Sequence, residues 1–220
     1  MQPRLMTDYR PPTGPLRIVH QDEDLVVVDK PSGLLSVPGK PADHKDCLEN
    51  RVREAFPHAL LIHRLDLETS GLMIFALNPR AQRIINRQFE KRIVQKAYEA
   101  RVSGRVTADT GAIHRPLTVD WPLRPMQKVC FETGKPSSTL WEVMDRETAA
   151  TRLCLRPRTG RSHQLRVHCL SIGHPILGDP FYAPVADYRA VDRLQLHAVA
   201  LALRHPKDGE WVEWTAPIPF

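Results

Sequence analysis

The sequence predicts an α+β fold, a mixed sheet flanked by helices. Three observations predict it. Apolar, β-branched runs of strand length recur along the whole chain. Their spacing is too irregular for a simple βαβ repeat. Helical periodicity is confined to a few segments between them.

Regular structure is expected to begin near Ile18. Leu25-Val26-Val27-Val28 reads as a strand, closed by the turn Asp29-Lys30-Pro31. Pro31, Gly33, Pro38, Gly39 and Pro41 then punctuate a long loop. Asp46 is expected to cap a helix running to about Phe56. The short apolar pair Leu61-Ile62 leads into a polar loop that carries Asp66. Leu72 to Leu77 follows as a buried strand. A loop between two apolar segments is where a rigid scaffold can aim a reactive group.

Pro79 to Lys91 reads as a helix, with proline tolerated in its first turn. Arg80, Arg83, Arg87 and Lys91 share one face of it, and Ala81, Ile85 and Phe89 share another suited to the core. Tyr98 to Val102 reads as a strand. Thr107 to Lys135 reads as loop, broken by Pro116, Pro122 and Pro125. Ser138 to Met144 and Thr151 to Leu155 are expected strands. Gly160-Arg161-Ser162 opens a helix with Ser162 as N-cap. Leu165, Cys169 and Ile172 form its apolar face, and Arg166 lies at the border of that face. Leu194 to Leu203 is the final strand.

A chain of 220 residues can bury a sizeable core without disulfides or metals. Its formal charge of +6 favours a polyanionic partner, nucleic acid ahead of a membrane surface. Cys47, Cys130, Cys154 and Cys169 are scattered, which argues against a zinc ribbon and a secreted disulfide scaffold. Residues 1–15 read as a proline-rich, flexible polar arm without the apolar core of a signal peptide. No run is long enough to cross a bilayer. A cytoplasmic protein without a membrane partner is expected.

Histidines are plentiful, but His163 and His168 are five apart and do not share a helix face as a zincin pair does. Gly33, Gly39 and Gly71 match no phosphate-binding loop, and no G-x-S-x-G elbow is present. Neither a metal nor a cofactor is expected. What remains is Asp66 beside Arg64, a separate Tyr98, and a helix start rich in Arg, His and Gln. On residue type alone, Asp66 suits a turn as well as a reaction.

The surrounding words carry a resemblance. His63-Arg64-Leu65-Asp66-Leu67-Glu68-Thr69-Ser70-Gly71-Leu72 resembles the signature of the RluA family of pseudouridine synthases. Val28 to Gly39 resembles the family's first motif, and Thr159 to His168 a later one. Gly173 to Asp179 and Leu194-Gln195-Leu196-His197-Ala198 follow in family order. Asp120-Trp121-Pro122, Gln127 to Cys130 and Glu132 to Pro136 are similar to one compact subgroup of the family. Too little chain is expected before Ile18 for the S4 RNA-binding domain of other members.

The resemblance implies the pseudouridine synthase fold, a mixed and mostly antiparallel central sheet forming one catalytic domain over residues 16–220. It implies isomerisation of uridine to pseudouridine in RNA, without a cofactor; a monomer is expected. The subgroup implies two substrates, a tRNA anticodon stem-loop and a hairpin of large-subunit (23S) ribosomal RNA. Asp66 takes the place of the family's essential carboxylate. Its step is open among attack on C1′, attack on C6 and removal of the ribose 2′ proton. Arg166 takes the place of the family arginine, expected to pair with Asp66 and keep it ionised. Tyr98 takes the place of the family tyrosine, expected to stack on uracil near C5.

Arg64 is expected to insert where the flipped base was, or to grip its phosphate, with His63 beside it. Lys30, Arg80, Arg83, Arg87 and Arg161 are expected to contact the RNA backbone. Two other classes stand as rivals: a non-catalytic RNA-binding or assembly factor on the same fold, and a metal-dependent nuclease.

Overall fold

A computed structural model describes residues 9–220. In chain order it contains β1 (Arg17–Gln21), β2 (Leu25–Lys30), α1 (Leu48–Ala55), β3 (Leu60–Leu61), β4 (Ser70–Ala76) and α2 (Pro79–Glu90). Then come β5 (Gln95–Ser103), β6 (Thr110–Ile113), β7 (Leu117–Val119), β8 (Gln127–Val129), β9 (Thr139–Arg146) and β10 (Ala150–Pro157). The chain closes with α3 (Gln164–Ser171), α4 (Val185–Arg189), β11 (Leu196–Arg204) and β12 (Trp211–Thr215). This is the expected α+β class, with mostly antiparallel strands and few helices.

The chain folds as two compact units. Of the described residues, one unit holds 9–96 together with His197–Pro219, and the other holds Ala97–Leu196 together with Phe220. In the first unit, β2 lies antiparallel between β1 and β4. β4 runs parallel to β11, and β12 lies antiparallel on the other side of β11. Every residue of β2 and β4 is buried, as their unbroken apolar runs foretell. Gly71 sits where β4 meets β11, at φ +114°, and a Cβ there would lie 2.4 Å from the Ala198 carbonyl oxygen. Only glycine permits that approach.

Helix α2 closes over this sheet. Asn78 caps it by accepting the Ala81 N–H at 2.9 Å, and Pro79 fills the first turn, where no backbone donor is needed. Ala81 and Ile85 join Leu25, Val27, Leu72, Ile74, Leu201 and Leu203 in one core, with Phe89 at its edge. Helix α1 starts at Leu48 after Cys47 and has no side-chain cap. Asp46, the expected cap, instead takes the Arg51 guanidinium on both oxygens at 2.7 Å. The described part of the expected flexible arm is tied down. The Tyr9 hydroxyl donates to the Asp46 carbonyl at 2.8 Å, and Arg51 donates to the Pro12 carbonyl at 2.7 Å. Residues 1–8 of that arm lie outside the described residues.

In the second unit, β10 is flanked antiparallel by β5 and β9, and β6 pairs with β9. The segment expected as loop from Thr107 to Lys135 holds β6 and the two-stranded ribbon β7–β8. Helix α3 has apolar clusters on two sides. Leu165 and Cys169 pack with Ala100, Leu153 and Leu155, while Val167 packs with Leu117, Met126, Phe181 and Tyr182. All residues from Gln164 to Cys169 are therefore buried. Ser162 does not cap α3. The N-cap is His163, in the left-handed region at φ 52°, with no side-chain cap bond. The buried Gln164 ties the start of α3 to the turn before it and to the start of β9. Its carbonyl oxygen accepts the Arg161 N–H at 3.0 Å, and its amide donates to the Ser138 carbonyl at 3.0 Å. No helix among the described residues is long and apolar enough to cross a membrane.

Candidate active site

The loop bearing Asp66 is held by the loop after β2. All four carbonyls from Leu65 to Glu68 are claimed. Ser36 Oγ donates to Leu65 at 2.6 Å, and the Thr69 N–H donates to Asp66 at 3.2 Å. The Lys30 ammonium and the Gly33 N–H donate to Leu67 at 3.1 and 2.9 Å, and Ser32 Oγ donates to Glu68 at 2.6 Å. Ser36 Oγ also accepts the Leu65 N–H at 3.1 Å. A polar loop is thus fixed at every residue while the Asp66 side chain stays half-buried. Such fixing is what aims a reactive carboxylate.

This arrangement corrects the expectation for Lys30. It is fully buried, and its ammonium also donates to the carbonyls of Pro31 at 2.9 Å and Leu34 at 2.7 Å. Those three carbonyls satisfy a charge that would otherwise be very costly to bury. Lys30 is an internal tether, out of reach of an RNA phosphate.

His63 is corrected as well. Its ring stacks on Phe89 with centroids 5.2 Å apart, and its Nε2 accepts the Ile74 N–H at 3.2 Å. Burial, helped by the nearby Lys96 charge, pushes its pKa down to about 3. A neutral, half-buried acceptor does not grip phosphate as a cation. Arg64, next in the chain, is exposed. Arg80, Arg83 and Arg87 are exposed along α2, and Arg161 is exposed before α3.

In the second unit, Tyr98 lies on β5 opposite Leu155 of β10 and packs against the cluster that holds Leu165 of α3. Arg166, on the same helix, is 1% exposed. Its Nε and Nη2 each donate at 2.7 Å to the two oxygens of Asp179, itself fully buried. The guanidinium lies over the rings of Phe181 and Tyr182 at 5.0 and 5.2 Å. Asp179 orders those rings by accepting the N–H groups of Phe181 at 2.8 Å and Tyr182 at 3.1 Å.

Asp179 was missed by sequence reasoning. The signal was present in Gly178-Asp179, the acid that a buried arginine requires. Ser32 and Ser36 were also missed, since a loop serine carries no mark of the backbone it will hold. Among the described residues, no group of three or more His, Cys, Asp and Glu side chains is placed to hold a metal ion.

A family model described as RNA pseudouridylate synthase matches residues 24–171. The chain is 50% identical over 217 residues to the dual-specificity RNA pseudouridine synthase RluA of Pasteurella multocida (strain Pm70), covering 98% of this chain and 99% of that one. It is 48% identical over 217 residues to the protein of the same name in Escherichia coli (strain K12), with the same coverage. Among solved structures, Human RNA Pseudouridylate Synthase Domain Containing 1 matches with a TM-score of 0.78 at 33% identity, over 93% of this chain and 84% of that chain.

Proposed function

This chain belongs to the RluA family of pseudouridine synthases, RNA-acting isomerases, and from that premise we propose that it converts uridine to pseudouridine in two RNA classes, with Asp66 as the catalytic carboxylate. The two classes are a tRNA anticodon stem-loop and a hairpin of 23S ribosomal RNA. The dual-specificity names of relatives similar over nearly their full length support that substrate reading. The enzyme works as a monomer in the cytoplasm.

One observation carries the assignment of Asp66. Two separate motifs meet in the structure: the first clasps the carbonyls of Leu65, Leu67 and Glu68, while the turn's own Thr69 N–H holds that of Asp66. A solvated turn aspartate needs no such clasp.

The reaction breaks the N1 glycosidic bond of uridine and rejoins uracil through C5. It is redox-neutral and consumes no group donor. The target base leaves its stack, which costs a few kcal/mol and least in a loop. Arg64, exposed beside Asp66, fills the vacated place or holds the flipped nucleotide's phosphate. Asp66 acts on the ribose or the base. Arg166, immobilised by Asp179, supports the carboxylate with a fixed positive charge. Tyr98 stacks on uracil and places its oxygen where the C5 proton departs. Arg80, Arg83, Arg87 and Arg161 contact the backbone.

Pseudouridine mapping in tRNA and ribosomal RNA from cells carrying Asp66→Asn tests this reading. The variant is expected to fold and bind RNA while every product site of this enzyme reverts to uridine. Unchanged pseudouridine in both RNA classes would remove Asp66 from the chemistry.

A further inference from the structure

The lobe of residues 114–137 leaves the sheet after β6 and returns at β9. Its core is the ribbon β7–β8, with Leu117 opposite Val129 and Val119 opposite Gln127. The ribbon's apolar underside, Leu117 and Met126, packs on Val167 of α3 and on Phe181 and Tyr182. The Gln127 N–H donates to the Tyr182 hydroxyl at 2.8 Å. One buried histidine ties down both ends of the lobe. His168 Nδ1 lies 2.8 Å from Thr139 Oγ1, and its Nε2 lies 3.0 Å from Ser137 Oγ and 3.1 Å from the Arg115 carbonyl oxygen. The lobe is therefore rigid and mounted on the helix that carries Arg166.

At the ribbon's tip this rigid base presents a large aromatic surface to water. Trp121 is 64% exposed, and the Arg124 guanidinium lies 3.5 Å over its ring. Core packing does not account for a tryptophan in that position, since most of its area stays in solvent. The lobe carries four basic side chains against two acidic ones, and Lys128 engages one of the acids, Asp120, at 3.1 Å. Arg161 abuts the lobe's end, its Nε 3.4 Å from the Pro136 carbonyl oxygen. An exposed indole backed by a guanidinium in a basic setting matches what single-stranded RNA requires. The ring stacks on a base, and the cation serves the phosphate beside it.

We propose that Trp121 and Arg124 form a stacking platform that holds an unpaired base of the RNA substrate other than the reacting uridine. It rests on the RNA-modifying function above and adds a positioning element to it. Such a platform favours looped RNA over duplex RNA. Duplex RNA offers no free base face to the indole.

Anisotropy with a labelled tRNA anticodon stem-loop transcript, paired with steady-state turnover on the same RNA, tests the platform. Trp121→Ala is expected to raise Kd and KM about tenfold, the scale of one lost base–aromatic stack, while kcat changes less than about twofold. Trp121→Phe is expected to recover most of the affinity, because a ring remains. Arg124→Ala is expected to lower the slope of log K against log[salt] by about 0.7. Unaltered Kd in Trp121→Ala overturns the platform, as does a fall in kcat at constant KM. Wild-type protein that fails to convert the transcript overturns the tRNA substrate reading alone, because the Kd comparison still reads the platform.

Discussion

Arg166 and Asp179 form a bidentate ion pair inside the second unit, with side chains 1% and 0% exposed. The pair joins α3 to the segment that carries Phe181 and Tyr182, and so fixes the arginine by charge and by ring contact together. Removing one partner of such a pair leaves a buried charge poorly compensated. Asp179→Asn is expected to destabilise the protein by about 3–5 kcal/mol. Urea denaturation reads this loss. Below the new midpoint kcat should fall far more than KM rises, because Arg166 loses its orientation while RNA contacts persist. A stable variant with normal kcat would remove the pair from catalysis.

The Lys30 ammonium and the Leu67 carbonyl make the second instructive contact, at 3.1 Å. Lys30→Met keeps the chain's bulk and strips the ammonium from three carbonyls, of which Leu67 keeps the Gly33 N–H while Pro31 and Leu34 lose their donor. Each buried carbonyl left without a donor costs about 1–3 kcal/mol. Loss of stability and of kcat is expected, with the salt dependence of RNA binding unchanged. A phosphate contact would behave oppositely, lowering the salt slope and sparing kcat. Comparing the two readouts decides between tether and contact.

The strands of the core were legible because their signal is local. Leu25 to Val28 and Leu72 to Ala76 are unbroken apolar runs, and both became fully buried strands. Asn78-Pro79 likewise opened α2 as its residues dictate. Misreadings came where a contact depends on how the folded chain converges, or where an element is too short to show a period. Lysine usually belongs at the surface, and only the convergence of Pro31, Leu34 and Leu67 carbonyls makes a buried site for Lys30. Strands β7 and β8 are three residues each and separated by Pro122 and Pro125, too short to leave a period. Strand β12 alternates exposed and half-buried residues and takes its order from β11, a partner the local pattern does not reveal. Around Asp66, the motif words marked the loop, but the serines that hold it emerged only from geometry.

His63 predicts an acid sensitivity. Its pKa is about 3 in the folded protein, against an ordinary value of 6.5. Between those two values the unfolded chain binds the extra proton, so stability rises with pH and falls on acidification. The contribution of His63 is intact above pH 6.5 and is lost progressively toward pH 3. The slope from this one residue approaches about 1.4 kcal/mol per pH unit. His63→Phe retains a ring against Phe89 but cannot titrate. Its stability, measured by denaturant unfolding from pH 7 to pH 4, should show a shallower decline than the wild type. An unchanged pH slope would show that His63 is charged or solvated in the fold.

The exposed arginines of α2 give the last prediction. Arg80, Arg83 and Arg87 recur at helical spacing on the solvent side, while Ala81 and Ile85 hold the helix to the core. Their replacement by alanine should leave the unfolding midpoint nearly constant, since exposed charges contribute little to stability. If all three meet phosphates of a looped RNA, the triple variant should reduce the slope of log K against log[salt] by roughly 2, from about 0.7 per contact. Binding should weaken similarly for matched and unmatched RNA sequences, because backbone contacts carry no base information. A slope equal to the wild type would place α2 outside the RNA interface and leave Arg64, Arg161 and the 114–137 lobe to carry it.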